Sequence, residues 1–173
     1  MTSLHFVTTL VDYANSRHAT DLIYMLQAYA KDPMGGGQAV PVSVTERLIH
    51  EMSTRSYVFS ILVYAHKDAA EISTADLVPV AFANCIESFS TFKGRAVINV
   101  HDFAVLPAFR GRDLSKTLMD AIELEAEKRN ACKITLEVLE GNIPAQQAYI
   151  KCGFKAYELD PEMGRALFWE KPL

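Results

Sequence analysis

The run Asn99-Val100-His101-Asp102-Phe103-Ala104-Val105-Leu106-Pro107-Ala108-Phe109-Arg110-Gly111-Arg112-Asp113-Leu114-Ser115-Lys116 decides the reading of this chain. An apolar strand enters a turn marked by Pro107, a short Arg/Gly loop follows, and an amphipathic helix begins. The leading N–H groups of a helix have no partner within it, and the helix dipole is positive at that end. A strand–loop–helix junction with Arg110, Gly111, Arg112 and Ser115 at the bend therefore suits a phosphate or pyrophosphate. A plain turn with solvated arginines fits the same residues. No Gly-Lys-Ser/Thr stands at P-loop spacing and no Gly-x-Gly-x-x-Gly is present, so neither nucleotide fingerprint applies.

Toward the C-terminus, Arg112 to Arg129 is the clearest helix. Leu114, Leu118, Ala121, Ile122 and Glu125 follow the 3.6-residue period, and their apolar members form one face. Lys133 to Leu139 reads as a strand and Ile143 to Lys151 as a helix, with Gly153 just past its end, where positive φ is common. Phe154 to Leu159 and Ala166 to Trp169 are expected as final strands, split by a turn at Asp160 to Gly164. Toward the N-terminus, Ala96 to Val105 and Val78 to Glu87 read as strands joined through Ser88 to Gly94. His66 to Asp76 is a polar excursion. Tyr57 to Ala65 is a buried strand rich in β-branched and aromatic residues, preceded by a helix over Val44 to Met52. Asp32-Pro33-Met34-Gly35-Gly36-Gly37 breaks the chain. Ser16 is placed to cap a helix whose apolar face is Ala19, Leu22, Ile23, Leu26 and Ala30, and Leu4 to Thr9 suits a first strand. With no repeat, low-complexity tract or linker, residues 1–173 are expected to form one domain around a mixed α/β sheet.

A chain of 173 residues can bury a sizeable core. Its 50% hydrophobic and 22% charged residues are ordinary for a globular protein. The net charge of −4 argues against a nucleic-acid binder and is compatible with a cationic substrate. Cys85, Cys132 and Cys152 are few, odd in number and set among apolar residues, as expected of reduced thiols in a cytoplasm. No basic region precedes an apolar run at the N-terminus, so no signal peptide is expected. The apolar run around Tyr57 to Ala65 is too short to span a bilayer, and no membrane partner is expected. The histidines show no metal-ligand spacing and there is no Cys-x-x-Cys, so no metal is expected. Cys152 has no signalled His partner, which argues against a thiol nucleophile.

The Arg110 to Ser115 segment resembles the coenzyme A-binding motif of the GNAT N-acetyltransferases, Arg/Gln-x-x-Gly-x-Gly/Ala. Arg110 fills the first position and Ser115 the last, and Asp113 stands where the middle glycine is expected. Downstream, Asn142-Ile143-Pro144-Ala145, then Ala148-Tyr149, then Gly153-Phe154 match the family's Asn-x-x-Ala, Tyr and Gly-Phe landmarks in order and spacing. The resemblance is detailed from Val78 to Leu173 and general before that. It implies a central, mostly antiparallel sheet of six or seven strands, flanked by about four helices, with coenzyme A in the gap where the fourth and fifth strands splay. It also implies transfer of an acetyl group from acetyl-CoA to a primary amine. His101-Asp102-Phe103-Ala104-Val105 resembles the Glu-Asp-Phe-Phe-Val-type segment of the diamine acetyltransferase branch, with His101 in place of the glutamate, and Phe168-Trp169 is similar to the tail of the small-molecule branch.

For the site, the resemblance implies coenzyme contacts at Phe103, Ala104, Val105, Arg110, Gly111, Arg112, Asp113, Leu114, Ser115, Lys116, Asn142, Ala145 and Tyr149, with backbone N–H groups near Val105 polarising the thioester carbonyl. Tyr149 is the implied acid that protonates the leaving thiolate. Read from periodicity alone, it packs on the apolar face of Ala145, Ala148 and Cys152. Asn142 serves equally as a helix cap. A histidine is a residue type suited to taking a proton from an ammonium acceptor, which makes His101 a candidate base, and it serves equally as a structural strand histidine. Glu87 and Glu137 are further candidates for the base or for binding a cationic amine, or are solvated strand residues. Gly35-Gly36-Gly37 reads as a lid by the acceptor site or as a plain loop. Asp113 can take the backbone angles common for Gly, and its carboxylate is expected to face solvent or Arg112. A small amine, diamine or amino-acid-like acceptor is the leading expectation. Acetylation of a protein N-terminus or lysine, and a non-catalytic acyl-CoA-binding module, are the alternatives. A homodimer is expected by family analogy.

Overall fold

The computed structural model describes residues 4–67, 76–158, 160, 162, 164 and 166–172. Its elements run β1 (Leu4–Leu10), α1 (Ser16–Lys31), α2 (Val42–Ser53), β2 (Val58–Lys67), β3 (Val78–Ser90), β4 (Arg95–Val105), α3 (Leu114–Lys128), β5 (Lys133–Leu136) and α4 (Ile143–Lys151). Short 3₁₀ turns cover Pro33–Gly35 and Pro107–Phe109. The strands form one sheet in the order β1-β2-β3-β4-β5. Neighbours are antiparallel from β1 to β4, and β5 joins β4 parallel. A parallel neighbour needs a crossover, and α3 supplies it. Among the described residues no helix is long and apolar enough to cross a membrane.

Helix ends follow local chemistry. Asn15, rather than Ser16, caps α1, accepting from the Arg17 and His18 N–H groups at 3.0 and 3.3 Å. Ser16 is the first helical residue. Asn142 caps α4, its side chain accepting from Ala145 N–H at 3.3 Å. Gly153 lies just past α4 at φ 86°, as its position predicts.

Each face of the sheet buries its own cluster. Phe59, Ile61 and Val63 of β2 pack with Leu114, Leu118, Met119 and Ile122 of α3. The alternate residues Leu62 and Tyr64 pack on the other face with Leu22, Met25 and Leu26 of α1 and Met52 of α2. On β4 the alternation slips. Asn84 pairs with Asp102 but Cys85 pairs with Val100, so His101 is an extra residue without a β3 partner. This bulge switches parity. Ile98 and Val100 before it, and Phe103 and Val105 after it, all pack on the α3 face.

Among the described residues five strands stand where six or seven are expected from the family resemblance. Residues 154–158 and 166–169 have strand composition but form no strand. A strand needs a neighbouring backbone in register. Phe154 instead folds back on α4, giving its N–H to Tyr149 O at 3.0 Å and packing its ring into the α3-side cluster. Leu159 and parts of the polar excursion and the last turn lie outside the described residues. The β5 strand also ends early. Its pairing stops at Val100–Leu136, and Glu137, Val138 and Leu139 leave the sheet.

Candidate active site

The early end of β5 creates the site. Beyond Val100, β4 runs on to Val105 with no strand on its β5 side, and a cavity of about 800 Å³ opens there. Its walls come from β4, the Arg110–Lys116 loop and helix start, Glu137–Leu139, α4, and the end of α1. Leu106 N–H bonds Val80 O on β3 at 2.9 Å. Successive backbone groups of a strand point to opposite edges, so the Val105 N–H points to the edge that β5 has left. That edge offers unpaired donors at the wall of a cavity.

At the cavity's outer end, α3 begins without a side-chain cap. Its first internal bond is Thr117 N–H to Asp113 O at 3.0 Å, so the Leu114, Ser115 and Lys116 N–H groups precede it as free donors. Gly111 has φ 76° and Asp113 has φ 57°, a left-handed pair that turns the chain into the helix. Arg110, Gly111, Asp113, Leu114, Ser115 and Lys116 all line the cavity. In this structure the cations are engaged. Arg110 Nη2 donates to Asp32 Oδ2 at 2.9 Å and its Nε to Val105 O at 3.2 Å, and Lys116 Nζ bonds both oxygens of Asp120 at 2.6 and 2.8 Å. Asp32 ends α1, and the Met34 N–H and the Arg110 guanidinium hold its carboxyl below the usual carboxylate range.

Tyr149 reaches the inner end from α4. It is 9% exposed, with its ring edge-on to Phe103 at 5.6 Å between centroids and tilted against Phe154 at 6.0 Å. Burial, then Tyr29 and Cys152, push its phenol up to about 12. His101, the bulge residue, lines the same cavity and is exposed. Asp102 is not among the residues lining the cavity, and Asn84 Nδ2 donates to it at 2.9 Å. Ser60 Oγ donates to Asn84 Oδ1 at 2.6 Å, and Tyr13 closes the chain against Ser60 at 2.9 Å. That polar row fixes β2, β3 and β4 beneath the bulge.

The expected site residues therefore converge, apart from Glu87 and Arg112. Glu87 pairs with Ile98, below the point where β4 and β5 part, and its carboxylate bonds Arg129 at 3.0 Å, outside the cavity. Arg112 is not among the lining residues; its guanidinium sits 6.0 Å from the Phe109 ring centroid. Of the two orientations expected for Asp113, toward solvent or toward Arg112, the structure shows it exposed on the cavity wall and not paired with Arg112, and its carboxylate makes no hydrogen bond to the described residues. Phe103, Ala104, Val105, Asn142, Ala145 and Glu137 all line it. Tyr29, Asp32 and Met34 were not read from the sequence as site residues. The signals near them were the chain break beginning at Asp32 and the adjoining Gly35-Gly36-Gly37 run. Among the described residues no group of three or more His, Cys, Asp or Glu side chains could hold a metal ion.

The sequence profile of the acetyltransferase (GNAT) family matches residues 46–154, more than half of the chain. The chain belongs to this family. GNAT acetyltransferases use acetyl-CoA as co-substrate, and this protein is an acetyl-CoA-dependent N-acetyltransferase. No curated protein matches the chain at a significant level of sequence similarity. Solved structures share the fold at low identity. The aminoglycoside acetyltransferase AAC(6′)-Iy, bound to a bisubstrate analog CoA-S-monomethyl-acetylneamine, is 17% identical, with a TM-score of 0.69 over 98% of this chain and 99% of that one. An aminoglycoside acetyltransferase from an uncultured soil metagenomic sample is 10% identical, with a TM-score of 0.74 over 97% of this chain and 96% of that one. A ribosomal-protein-alanine N-acetyltransferase from Brucella melitensis biovar Abortus 2308 is 15% identical, with a TM-score of 0.63 over 98% of each chain. These GNAT folds include enzymes named for small-molecule and for protein acceptors, and at such identities they speak to fold alone.

Proposed function

We propose that this cavity moves the acetyl group of acetyl-CoA to a small primary amine by direct attack, with both substrates bound. The pyrophosphate fits the α3 N-terminus with Arg110 and Gly111, where free N–H groups and the helix dipole favour an anion. The thioester lies along the open edge of β4, its carbonyl oxygen taking the Val105 N–H. His101 accepts a proton from the ammonium form of the acceptor. The free amine attacks the carbonyl carbon, the C–N bond forms and the nitrogen gives a second proton to solvent, the C–S bond breaks, and the sulfur leaves with the electron pair and takes a proton from solvent. The products are the acetamide and coenzyme A, with one proton released through His101.

Tyr149 is the group for the sulfur, and its environment defines how it acts. A phenol pushed up to about 12 stays protonated at neutral pH. It is a weaker acid than an ordinary thiol of pKa about 8.5, so full transfer to a free thiolate runs uphill. Its role is a hydrogen bond that strengthens as charge builds on sulfur, completed as solvent protonates the thiolate.

The observation that carries the reading is that Tyr149, His101, the free β4 edge and the α3 N-terminus line one cavity. The small acceptor is supported by the wall that Tyr29, Pro33 and Met34 add to the cavity. The test is Tyr149→Phe. Turnover of acetyl-CoA with a screened amine is expected to fall by about a hundredfold or more, while calorimetric affinity for coenzyme A stays within about twofold of wild type. Unchanged turnover removes Tyr149 from the chemistry.

A further inference from the structure

The contact between Arg110 and Asp32 links the coenzyme end of the cavity to the end of α1. Asp32 is fixed by the backbone around it. Its N–H bonds Tyr29 O at 2.9 Å, its Oδ1 accepts Met34 N–H at 3.0 Å, and its carbonyl accepts Gly35 and Gly37 N–H groups at 2.8 and 3.1 Å. Arg110 is the movable partner. Its side chain is 57% exposed against 23% for Asp32. An ion pair this open is weak, because water screens it. A doubly anionic pyrophosphate offers the same guanidinium a bidentate, charge-assisted partner, so it wins the exchange. Arg110 also holds Val105 O on the open β4 edge, so its departure clears that edge as well.

The exchange leaves Asp32 Oδ2 without a cation, in a fixed position on the cavity wall. Arg110 bridges Val105 O and Asp32 Oδ2, and Asp32 lines the same cavity as His101 and Tyr149, so one guanidinium separates Asp32 from the β4 edge on which the thioester carbonyl is placed. We propose that Asp32 binds a second cationic group of the acceptor amine, and that Arg110 masks it until the coenzyme pyrophosphate takes the guanidinium. Coenzyme and acceptor then help each other bind, because each removes the competitor of the other, and such coupling is reciprocal. This rests on the active-site reading above.

The test uses Asp32→Asn, which keeps an acceptor for Met34 N–H and removes the charge. Calorimetry with coenzyme A is expected to show affinity about threefold to tenfold tighter in the variant, because the guanidinium is no longer held. S-acetylpantetheine, which lacks the pyrophosphate, is expected to bind both proteins equally. Initial rates with acetyl-CoA then compare short α,ω-diamines with the matched monoamines. Wild type is expected to favour the diamines by about tenfold or more in kcat/KM, and Asp32→Asn to lose that preference. Unchanged or weaker coenzyme A binding in the variant overturns the masking. A wild type without diamine preference, or a variant that keeps it, overturns the acceptor role. If coenzyme A fails to bind wild type, the active-site reading falls and this proposal falls with it. If coenzyme A binds and amines turn over with no effect of Asp32, only this proposal falls.

Discussion

Asp113 stands at a left-handed turn that costs an ordinary L-residue about 1–2 kcal/mol, less for Asp, whose short polar side chain tolerates it. Its carboxylate neither caps α3 nor pairs with the described residues, and it lies on the wall that the pyrophosphate is proposed to use. Asp113→Gly removes the repulsion and the backbone strain, against the larger unfolded-state entropy of glycine. Stability is expected to change by less than about 1 kcal/mol, while coenzyme A binds about threefold to tenfold tighter by calorimetry. Looser binding would mean that the carboxylate serves the coenzyme. The Asp113 backbone conformation was legible in the sequence, because the position matches a glycine of the motif; where the carboxylate points was not, since that depends on Arg112 lying against Phe109. Tyr149 sets a second expectation at this scale. With its phenol pushed up to about 12, it gives no alkaline fall in kcat between pH 7 and about 10. A limb centred near 10 in the pH–rate profile, absent in Tyr149→Phe, would show an unshifted phenol.

At the scale of elements, the site depends on two irregularities, the bulge at His101 and the early end of β5. Neither was legible. Glu137-Val138-Leu139 has the composition of the strand before it, and only the divergence of two backbones ends the pairing. The polar pair His101-Asp102 in an apolar strand was the one trace of the bulge, and simple alternation along the strand does not reveal an extra residue. The major helices and the first four strands were legible, because each buries one face and its periodicity records that face. The final strands were not, because composition cannot supply a partner. The turn after α1 is a tighter case. A Cβ on Gly35 would lie 2.1 Å from Tyr29 O, so no side chain fits unless the turn moves. Gly35→Ala is expected to cost about 1–3 kcal/mol in denaturant unfolding and, by shifting Asp32 and Met34, to raise KM for the amine more than KM for acetyl-CoA. Equal changes in both would detach this turn from the acceptor side.

Across the whole molecule, α3 connects the chemistry to the scaffold. Its 15 residues span about 22 Å, with the N-terminus at the cavity and the C-terminus at a polar anchor. There Arg129 bonds Glu87 and Glu125, each at 3.0 Å, and lies 4.3 Å from the Phe59 ring centroid. Just past the helix, Arg95 donates to Asn130 O and Ala131 O at 3.0 and 2.9 Å. A helix held at its far end by β2, β3 and β4 presents its first N–H groups at a fixed place, which a pre-organised anion site requires. Glu87 belongs to this anchor, although a strand carboxylate beside an expected cleft reads as chemistry. The sequence could not separate the two, because the partner Arg129 is 42 residues away and meets it only through the fold. Both side chains are partly exposed, at 32% and 23%, so the pair is worth about 1 kcal/mol or less. Glu87→Gln is therefore expected to lower Tm by about 2–4 °C and to leave kcat/KM within about twofold of wild type. A large loss of turnover at unchanged Tm would return Glu87 to the chemistry; the expected result fixes it as part of the frame that holds α3 against the sheet.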